Sequence, residues 1–117
     1  MAEHTCTDRC AHTVADDGPV VYGVLAEVLD ERRRQDAKWG EQNHPDGTGG
    51  FPEEMDAHAA KMVCQNAAEG GYLDWLHILR EEVAEAFASV GPDLRTELIQ
   101  VAAVAVAWVE AIDRRRT

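Results

Sequence analysis

Four glutamates near the middle of the chain have the residue type and spacing for metal chemistry. Glu81, Glu82 and Glu85 form the pattern EExxE, and Glu97 follows on the next predicted helix. Residues three and four apart share one face of a helix, so the first three carboxylates lie within about 100° of arc. A hard divalent cation would relieve their mutual repulsion. The pattern therefore indicates a carboxylate site for Mg²⁺, with Mn²⁺ as the alternative ion.

The turn that follows brings a fifth polar side chain to this cluster. If the third and fourth helices form an antiparallel hairpin centred near Gly91, Glu97 lies beside Glu85, and Gln100 lies beside Glu81 and Glu82. Gln100 is the only polar side chain in an otherwise apolar run, and a buried amide requires hydrogen-bond partners. Burying several carboxylates without a cation would cost several kcal/mol each. The hairpin thus predicts a polar layer of carboxylates and one amide that together bind the metal.

A plainer interpretation of the same glutamates stays open. Glu-rich helices are common, and EExxE by itself also fits a helix face that water covers. Under that interpretation the chain is a helical adaptor, and Mg²⁺ with a nucleotide would leave its melting temperature unchanged. The level pairing with Glu97 and Gln100 favours the metal site.

Four helices are predicted to position these groups, which makes the fold class all-α. The predicted helices cover about residues 20–38, 53–70, 72–89 and 93–115. Apolar residues recur at helical spacing in the first three. The predicted buried stripes are Val21, Val24, Leu25, Val28 and Leu29 in the first helix, Met55, Ala59, Met62, Val63 and Ala67 in the second, and Tyr72, Leu76, Leu79, Val83 and Phe87 in the third. A polar arm, residues 1–19, is expected to precede a single domain of residues 20–117.

The fourth helix carries the strongest signal for assembly. It is apolar on nearly every face between Leu98 and Val109. A helix of that kind is fully buried, and a chain of 117 residues can hardly cover it alone. We therefore expect a subunit interface there and a homo-oligomer, either a dimer or a tetramer.

The charge balance narrows the partners and the location. The net charge is −11 at pH 7, which repels nucleic acid and anionic membranes. The longest apolar run is well short of the ~20 residues that span a bilayer, and the first residues lack the apolar block of a secretory signal. These features predict a cytoplasmic protein that binds neither nucleic acid nor membrane.

The loop after the first helix supplies candidate substrate-binding groups. Trp39 and Gln42 could stack on and read a nucleobase, while Lys38 and Lys61 could contact phosphates. An alternative of equal weight has Trp39 closing the core beneath the loop. The basic run at residues 32–34 either contacts a phosphate or, as we favour, belongs to a solvated helix face.

Metal-ligand residue types also occur in the N-terminal arm. His4, Cys6, Cys10 and His12 are zinc-ligand types, but their compact spacing fits no standard pattern well, so a polar arm without metal is favoured. Cys64 lies on the predicted buried side of the second helix and is expected to be a core residue.

Several segments resemble the MazG-like, all-α nucleoside triphosphate pyrophosphohydrolases. Glu81-Glu82-Val83-Ala84-Glu85 followed by Glu97-Leu98-Ile99-Gln100 resembles the EExxE and ExxD signature of that family. The Trp75-Leu76-His77-Ile78-Leu79 lead-in and the run from Gln100 to Trp108 look like those of small phage and actinobacterial members. Lys38-Trp39-Gly40-Glu41-Gln42 looks like the segment before the family's second helix.

This resemblance, which covers about residues 20–115, implies a particular activity and assembly. Members of the family fold as a four-helix unit, assemble into dimers or tetramers, and bind Mg²⁺ through four acidic positions. They cleave a nucleoside triphosphate between the α and β phosphates, with a metal-held water as the nucleophile, and release a monophosphate and pyrophosphate.

Transferred to this chain, the family's pattern implies that Glu81, Glu82, Glu85 and Glu97 are metal ligands and that Glu81 or Glu82 is catalytic in orienting the water. The family's last acidic residue falls on Gln100, whose amide offers only a neutral carbonyl oxygen. Gln100 is therefore a weaker ligand. Its neutrality keeps a second function open, a nucleotide-binding protein that uses the same pocket without cleavage.

Overall fold

A computed structural model describes residues 18–116, with side chains for residues 22–115. Its helices are α1 (Gly18–Trp39), α2 (Phe51–Gly70), α3 (Trp75–Ala88) and α4 (Gly91–Arg116). Within this range there is no strand, so the predicted all-α class is confirmed. None of the described helices is both long and apolar enough to cross a membrane. The candidate zinc ligands of the N-terminal arm lie outside the described residues.

The chain divides into two compact units. Asp46–Trp108 forms one of them, and the described residues before and after that range form the other. The first unit therefore holds α2, α3 and most of α4, including every glutamate of the EExxE pattern, Glu97 and Gln100. The second unit holds α1 and the last residues of α4.

The turn between α2 and α3 is built by a glycine in the left-handed conformation. Gly71 has φ 80°, and its N–H donates to the carbonyl of Ala68 at 3.3 Å. The N–H of Tyr72 donates to the carbonyl of Ala67 at 2.9 Å, which satisfies a second carbonyl at the helix end. Glycine adopts this conformation without the steric cost of a side chain, so α2 ends where the sequence predicts.

The start of α3 was predicted three residues too early, because its cap was overlooked. Asp74 is the N-cap, and its side chain accepts a hydrogen bond from the N–H of His77 at 2.9 Å. That hydrogen bond lowers the pKa of Asp74, and the His77 ring lies 2.6 Å from the same carboxylate. Tyr72 therefore precedes the helix, and Trp75 is its first residue.

The start of α4 also differs from the prediction. The segment at residues 91–93 was expected to be a turn capped by Asp93, but the helix already begins at Gly91. Pro92 lacks an N–H and has a helical φ, so it is well suited to a first turn. The link to α3 is consequently only Ser89 and Val90, and Asp93 lies within the first turn of α4.

The predicted apolar stripes are mostly wrong as buried faces of the single chain. On α3, Leu76 is 50% exposed and Phe87 is 52% exposed, while Glu81 and Glu82 are each 1% exposed. The other exposed large hydrophobic residues of the predicted stripes are Leu25, Val28, Leu29, Met55, Met62, Val63 and Tyr72. The cause on α3 is geometric, because Leu76 and Phe87 lie roughly half a turn from the glutamates, and only one of these faces can pack inward.

Candidate metal centre

The inward face of α3 carries two glutamates where hydrophobic residues would normally lie. Glu81 and Glu82 are buried next to Ala86, which is fully buried on the same helix. α3 packs on α2, whose buried residues are the small Cys64 and Ala67. Because small side chains on both helices leave room at this contact, long carboxylate side chains can be accommodated there.

Glu82 lies among three other carboxylates. Burial, a hydrogen bond to Glu85 and the charges of Glu85, Glu97 and Glu81 raise the pKa of Glu82 to about 8. At neutral pH Glu82 is therefore mostly protonated and donates its proton to the Glu85 carboxylate. Since Glu97 belongs to α4, its effect on Glu82 means that the two helices bring their acidic residues close together.

Two buried oxygen atoms at this face, Oε1 of Glu81 and Oε2 of Glu82, have no hydrogen-bond partner among the described residues. The same holds for the buried Oε1 of Gln100 on α4. Buried polar atoms are almost always hydrogen-bonded, and each one left unsatisfied costs roughly 1–3 kcal/mol. The interpretation of Glu81 and Glu82 as a water-covered helix face is therefore wrong. These acceptors instead call for a cation or for donors from a bound molecule.

Cys64 is a member of this cluster that the sequence analysis assigned only to the core. Burial, the hydrogen bond that its thiol donates to Glu81 and the neighbouring carboxylates raise the pKa of Cys64 to about 11. The thiol is thus the neutral hydrogen-bond donor of Glu81. In an antiparallel helix pair, residues equally far from the turn lie side by side. Cys64 and Glu81 lie equally far from the middle of the α2–α3 turn, so the sequence would have placed them together.

A hard cation fits the donor chemistry of this cluster, although the ligands do not yet surround a common point. Among the described residues, no group of three or more His, Cys, Asp or Glu side chains is arranged to hold a metal ion. Glu82 and Glu85 are instead joined by a hydrogen bond, with a proton between the two carboxyl groups. The available donors are carboxylate and amide oxygens, which suit Mg²⁺ or Mn²⁺. Binding requires loss of that proton and rotation of these side chains.

The predicted substrate-binding residues near the end of α1 are on the surface. Trp39 is 61% exposed, so the alternative that it closes the core is wrong. Nζ of Lys38 lies 4.8 Å from the centre of the Trp39 ring. Gln42 is exposed, and its Oε1 lies 3.0 Å from Nε2 of His44. A polar cavity of about 730 Å³ adjoins this loop, lined by Arg32, Gln35, Asp36, Gly40, Glu41 and Gln42.

The other basic residues singled out in the sequence, Lys61 and the arginines at residues 32–34, also lie on the surface. Lys61 is exposed on α2 and belongs to the other unit. The arginines at residues 32–34 form ion pairs with acidic residues of their own helix, at distances of 2.7–3.9 Å and with largely exposed side chains. This arrangement agrees with the solvated helix face that the sequence favoured.

A second contact joins α3 to α4 away from the carboxylates. The rings of Trp75 and Trp108 stack with centroids 6.2 Å apart and an interplanar angle of 12°. Trp75 is the first residue of α3, whereas Trp108 lies eight residues beyond Gln100 on α4. The two helices are therefore in contact at the tryptophans.

Likeness to known proteins adds nothing to these geometric observations. Comparisons with protein-family models, with curated proteins and with solved structures find no match for this chain. The function is therefore inferred from the buried carboxylates, the amide and the thiol of the Asp46–Trp108 unit.

Proposed function

We propose that this chain is a Mg²⁺-dependent nucleotide pyrophosphohydrolase of the MazG-like type, which converts a nucleoside triphosphate to a monophosphate and pyrophosphate. The observation that carries the proposal is the burial of Glu81 and Glu82, at 1% exposure each, with carboxylate oxygens that have no partner. Each buried acceptor atom without a hydrogen-bond partner costs roughly 1–3 kcal/mol, so stability alone gives no reason to keep these carboxyl groups there. A site that binds a cation and a phosphate chain gives such a reason.

In the proposed enzyme, Glu81, Glu82, Glu85 and Glu97 hold the metal, and the carbonyl oxygen of Gln100 is a neutral additional ligand. When bound, Mg²⁺ supplies positive charge that offsets these carboxylates and the phosphate oxygens of the substrate. The chain's own chemical task is to orient a water molecule toward the α phosphorus and to accept its proton. Glu82 is suited to that task, because it is buried among the other carboxylates of the proposed site. The bond from the α phosphorus to the bridging oxygen breaks, and pyrophosphate leaves.

An antiparallel hairpin of α3 and α4 is part of this proposal. Two observations support it: Glu97, near the start of α4, acts on Glu82, and Trp108, farther along α4, stacks on the first residue of α3. In an antiparallel pair, residues far apart in sequence on either side of the turn lie level in this way. The hairpin would bring Gln100 to the level of Glu81.

The proposed substrate contacts are Lys38, Trp39, Gln42 and Lys61. The exposed Trp39 ring, with the Lys38 ammonium against it, is available to stack on a nucleobase. The net charge of −11 favours free nucleotides near a bound cation over nucleic acid or membrane as partners. We further propose that the enzyme acts in the cytoplasm as a homo-oligomer, a dimer or a tetramer.

The proposal is tested by measuring pyrophosphate release from a panel of ordinary and modified nucleoside triphosphates, with Mg²⁺, with Mn²⁺ and with EDTA. We expect metal-dependent release from at least one of them, in equal amount to the monophosphate. Release of inorganic phosphate instead would place the cleavage at another bond. No release from any triphosphate, in protein that still binds metal, would reject the enzyme.

One observation favours a second function, the binding of a nucleotide without cleavage. Gln100 is buried, at 8% exposure, at the position where the MazG-like pattern has an acid. An amide there leaves the site one negative charge short, which weakens its hold on a divalent ion. Calorimetry of the same samples separates the two functions, because metal-dependent nucleotide binding with no turnover supports the binding protein.

Replacement of Gln100 by Asp is expected to tighten Mg²⁺ binding by about tenfold, which corresponds to about 1.4 kcal/mol. The added carboxylate restores a charge to the site, and the same charge lowers the melting temperature of the metal-free protein. Isothermal titration with Mg²⁺ measures the first effect, and thermal unfolding in EDTA measures the second. Gln65→Asp, the same change at an exposed position of α2, should alter neither. Unchanged affinity in Gln100→Asp would exclude Gln100 from the metal site.

A further inference from the structure

The buried thiol of Cys64 is a hydrogen-bond donor to one of the four glutamates. Cys64 lies on the face of α2 that packs against α3, and it forms no disulfide, so its thiol keeps its hydrogen. The carboxylate of Glu81, which lies level with it on α3, accepts the hydrogen bond from this thiol. A contact between the two helices therefore holds the side chain of Glu81.

The carboxylate of Glu81 also has an oxygen atom that the chain leaves unsatisfied. Its Oε1 is buried without a hydrogen-bond partner, and none of the ion pairs within the described residues involves Glu81. A buried acceptor of this kind normally has a partner. This observation does not depend on the cysteine, and it indicates that Glu81 holds Oε1 toward a ligand while the thiol holds the carboxylate in place.

A thiol suits this task better than the basic side chains that usually accompany a buried carboxylate. A lysine or arginine in place of Cys64 would form an ion pair with Glu81 and cancel the negative charge that a cation requires. The thiol is a neutral, weak donor, so it directs the carboxylate and leaves its charge in place. Sulfur is also a soft ligand, whereas Mg²⁺ prefers oxygen, so Cys64 does not compete with Glu81 for the ion.

We propose that Cys64 is a positioning residue of the metal site, whose thiol fixes the side chain of Glu81 so that Oε1 is presented to the cation. This inference rests on the proposed function, because that function makes Glu81 a metal ligand. In this role Cys64 binds neither the cation nor the substrate and acts through Glu81 alone. Residues that hydrogen-bond to a metal ligand typically contribute roughly 10–100-fold to metal affinity or activity.

The test compares Cys64→Ala, which removes the donor, with Cys64→Ser, which keeps a donor of nearly the same size. Isothermal titration of the full-length chain with Mg²⁺ and with Mn²⁺ measures metal affinity without any need for turnover. We expect Cys64→Ala to weaken metal binding by about tenfold or more, and Cys64→Ser to stay within about threefold of the wild type. Gln65→Ala, at the neighbouring exposed position of α2, should leave the affinity unchanged.

A purely structural role of Cys64 would give a different pattern. Lost packing lowers the unfolding temperature in EDTA, but it gives no reason for metal affinity to depend on a donor at position 64. Unchanged affinity in Cys64→Ala would therefore overturn the proposal. An equal loss of affinity in Cys64→Ser and Cys64→Ala would also overturn it, because the hydroxyl would then fail to replace the thiol as donor.

Failure of the proposed function gives results of another kind. A wild-type chain that binds neither Mg²⁺ nor Mn²⁺ rejects the metal site and, with it, the role of Cys64. A wild-type chain that binds metal, with affinity lost in Cys64→Ala and kept in Cys64→Ser, but that releases no pyrophosphate, rejects the enzyme alone. Cys64 then stays a positioning residue of a metal site that binds without cleavage.

Discussion

Replacing Glu82 by Gln is expected to abolish metal-dependent pyrophosphate release, with kcat/KM reduced by about 10²–10³-fold or more, the scale of losing one preorganised electrostatic group. Gln has nearly the size of Glu, so the packing of α3 on α2 is preserved. The amide, however, carries no negative charge for a cation, and it cannot accept the proton of the attacking water. Pyrophosphate release at saturating Mg²⁺ is the measurement.

The same substitution should act in the opposite direction on stability. Glu82 must take up a proton on folding because it is buried among three other carboxylates, so a neutral amide at this position removes that cost in the metal-free chain. We therefore expect Glu82→Gln to unfold at the same or a higher temperature in EDTA, while losing most of the stabilisation that Mg²⁺ gives. Glu69→Gln, at an exposed position of α2, is the matched control and should change neither quantity. If Glu82→Gln keeps full activity, Glu82 has no part in the reaction.

The stability of the metal-free protein is expected to fall as the pH rises from about 5 to 8. The pKa of Glu82 is raised from 4.5 to about 8 in the folded chain, so between these values the folded state holds a proton that the unfolded state has lost. Stability therefore decreases with rising pH across this window. The contribution is fully present below pH 4.5 and is lost as the pH passes about 8. One pKa unit corresponds to about 1.4 kcal/mol, so the total effect is several kcal/mol.

Magnesium should reverse this dependence on pH. Protons compete with the metal for the carboxylates, so Mg²⁺ binds more tightly as the pH rises, and its stabilising effect grows. At 100 times its dissociation constant a ligand adds about 2.7 kcal/mol. Urea unfolding between pH 5 and 8, in EDTA and in Mg²⁺, measures both trends. Glu82→Gln should reduce the change in the free energy of unfolding with pH in EDTA. A wild-type slope in EDTA that is flat or rises with pH would mean that Glu82 is ionised in the folded chain.

The carboxylate cluster was predictable in its members but not in its setting. The spacing of Glu81, Glu82 and Glu85 identifies three side chains on one helix face, and any chain with this spacing in a helix brings them together. Cys64 was missed as a neighbour because level pairing was applied only to the hairpin of the third and fourth helices. Applied to the α2–α3 turn it places Cys64 beside Glu81, and the packing of α2 on α3 shows that its thiol donates a hydrogen bond there.

Local sequence alone determined where the helices lie and most of where they end. Gly71 ends α2 because glycine adopts the left-handed conformation readily, and Asp74 starts α3 because its carboxylate accepts a backbone N–H. Both effects act within a few residues, so a reader of the sequence can find them. The errors at the start of α3 and α4 are likewise local, since Asp74 and Pro92 carry the missed signals.

The tertiary structure decided which face of α3 is inside. The helix has two good candidates, an apolar face with Leu76 and Phe87 and an acidic face with Glu81 and Glu82, and helical periodicity gives both with equal clarity. The hydrophobic effect favours burying the first in a single chain, yet the second is buried. That outcome depends on what lies opposite, namely Cys64 and Ala67 of α2 and Glu97 of α4, none of which is near α3 in the sequence. Which face is buried depends on both surfaces that pack together, and the sequence of α3 specifies only one of them.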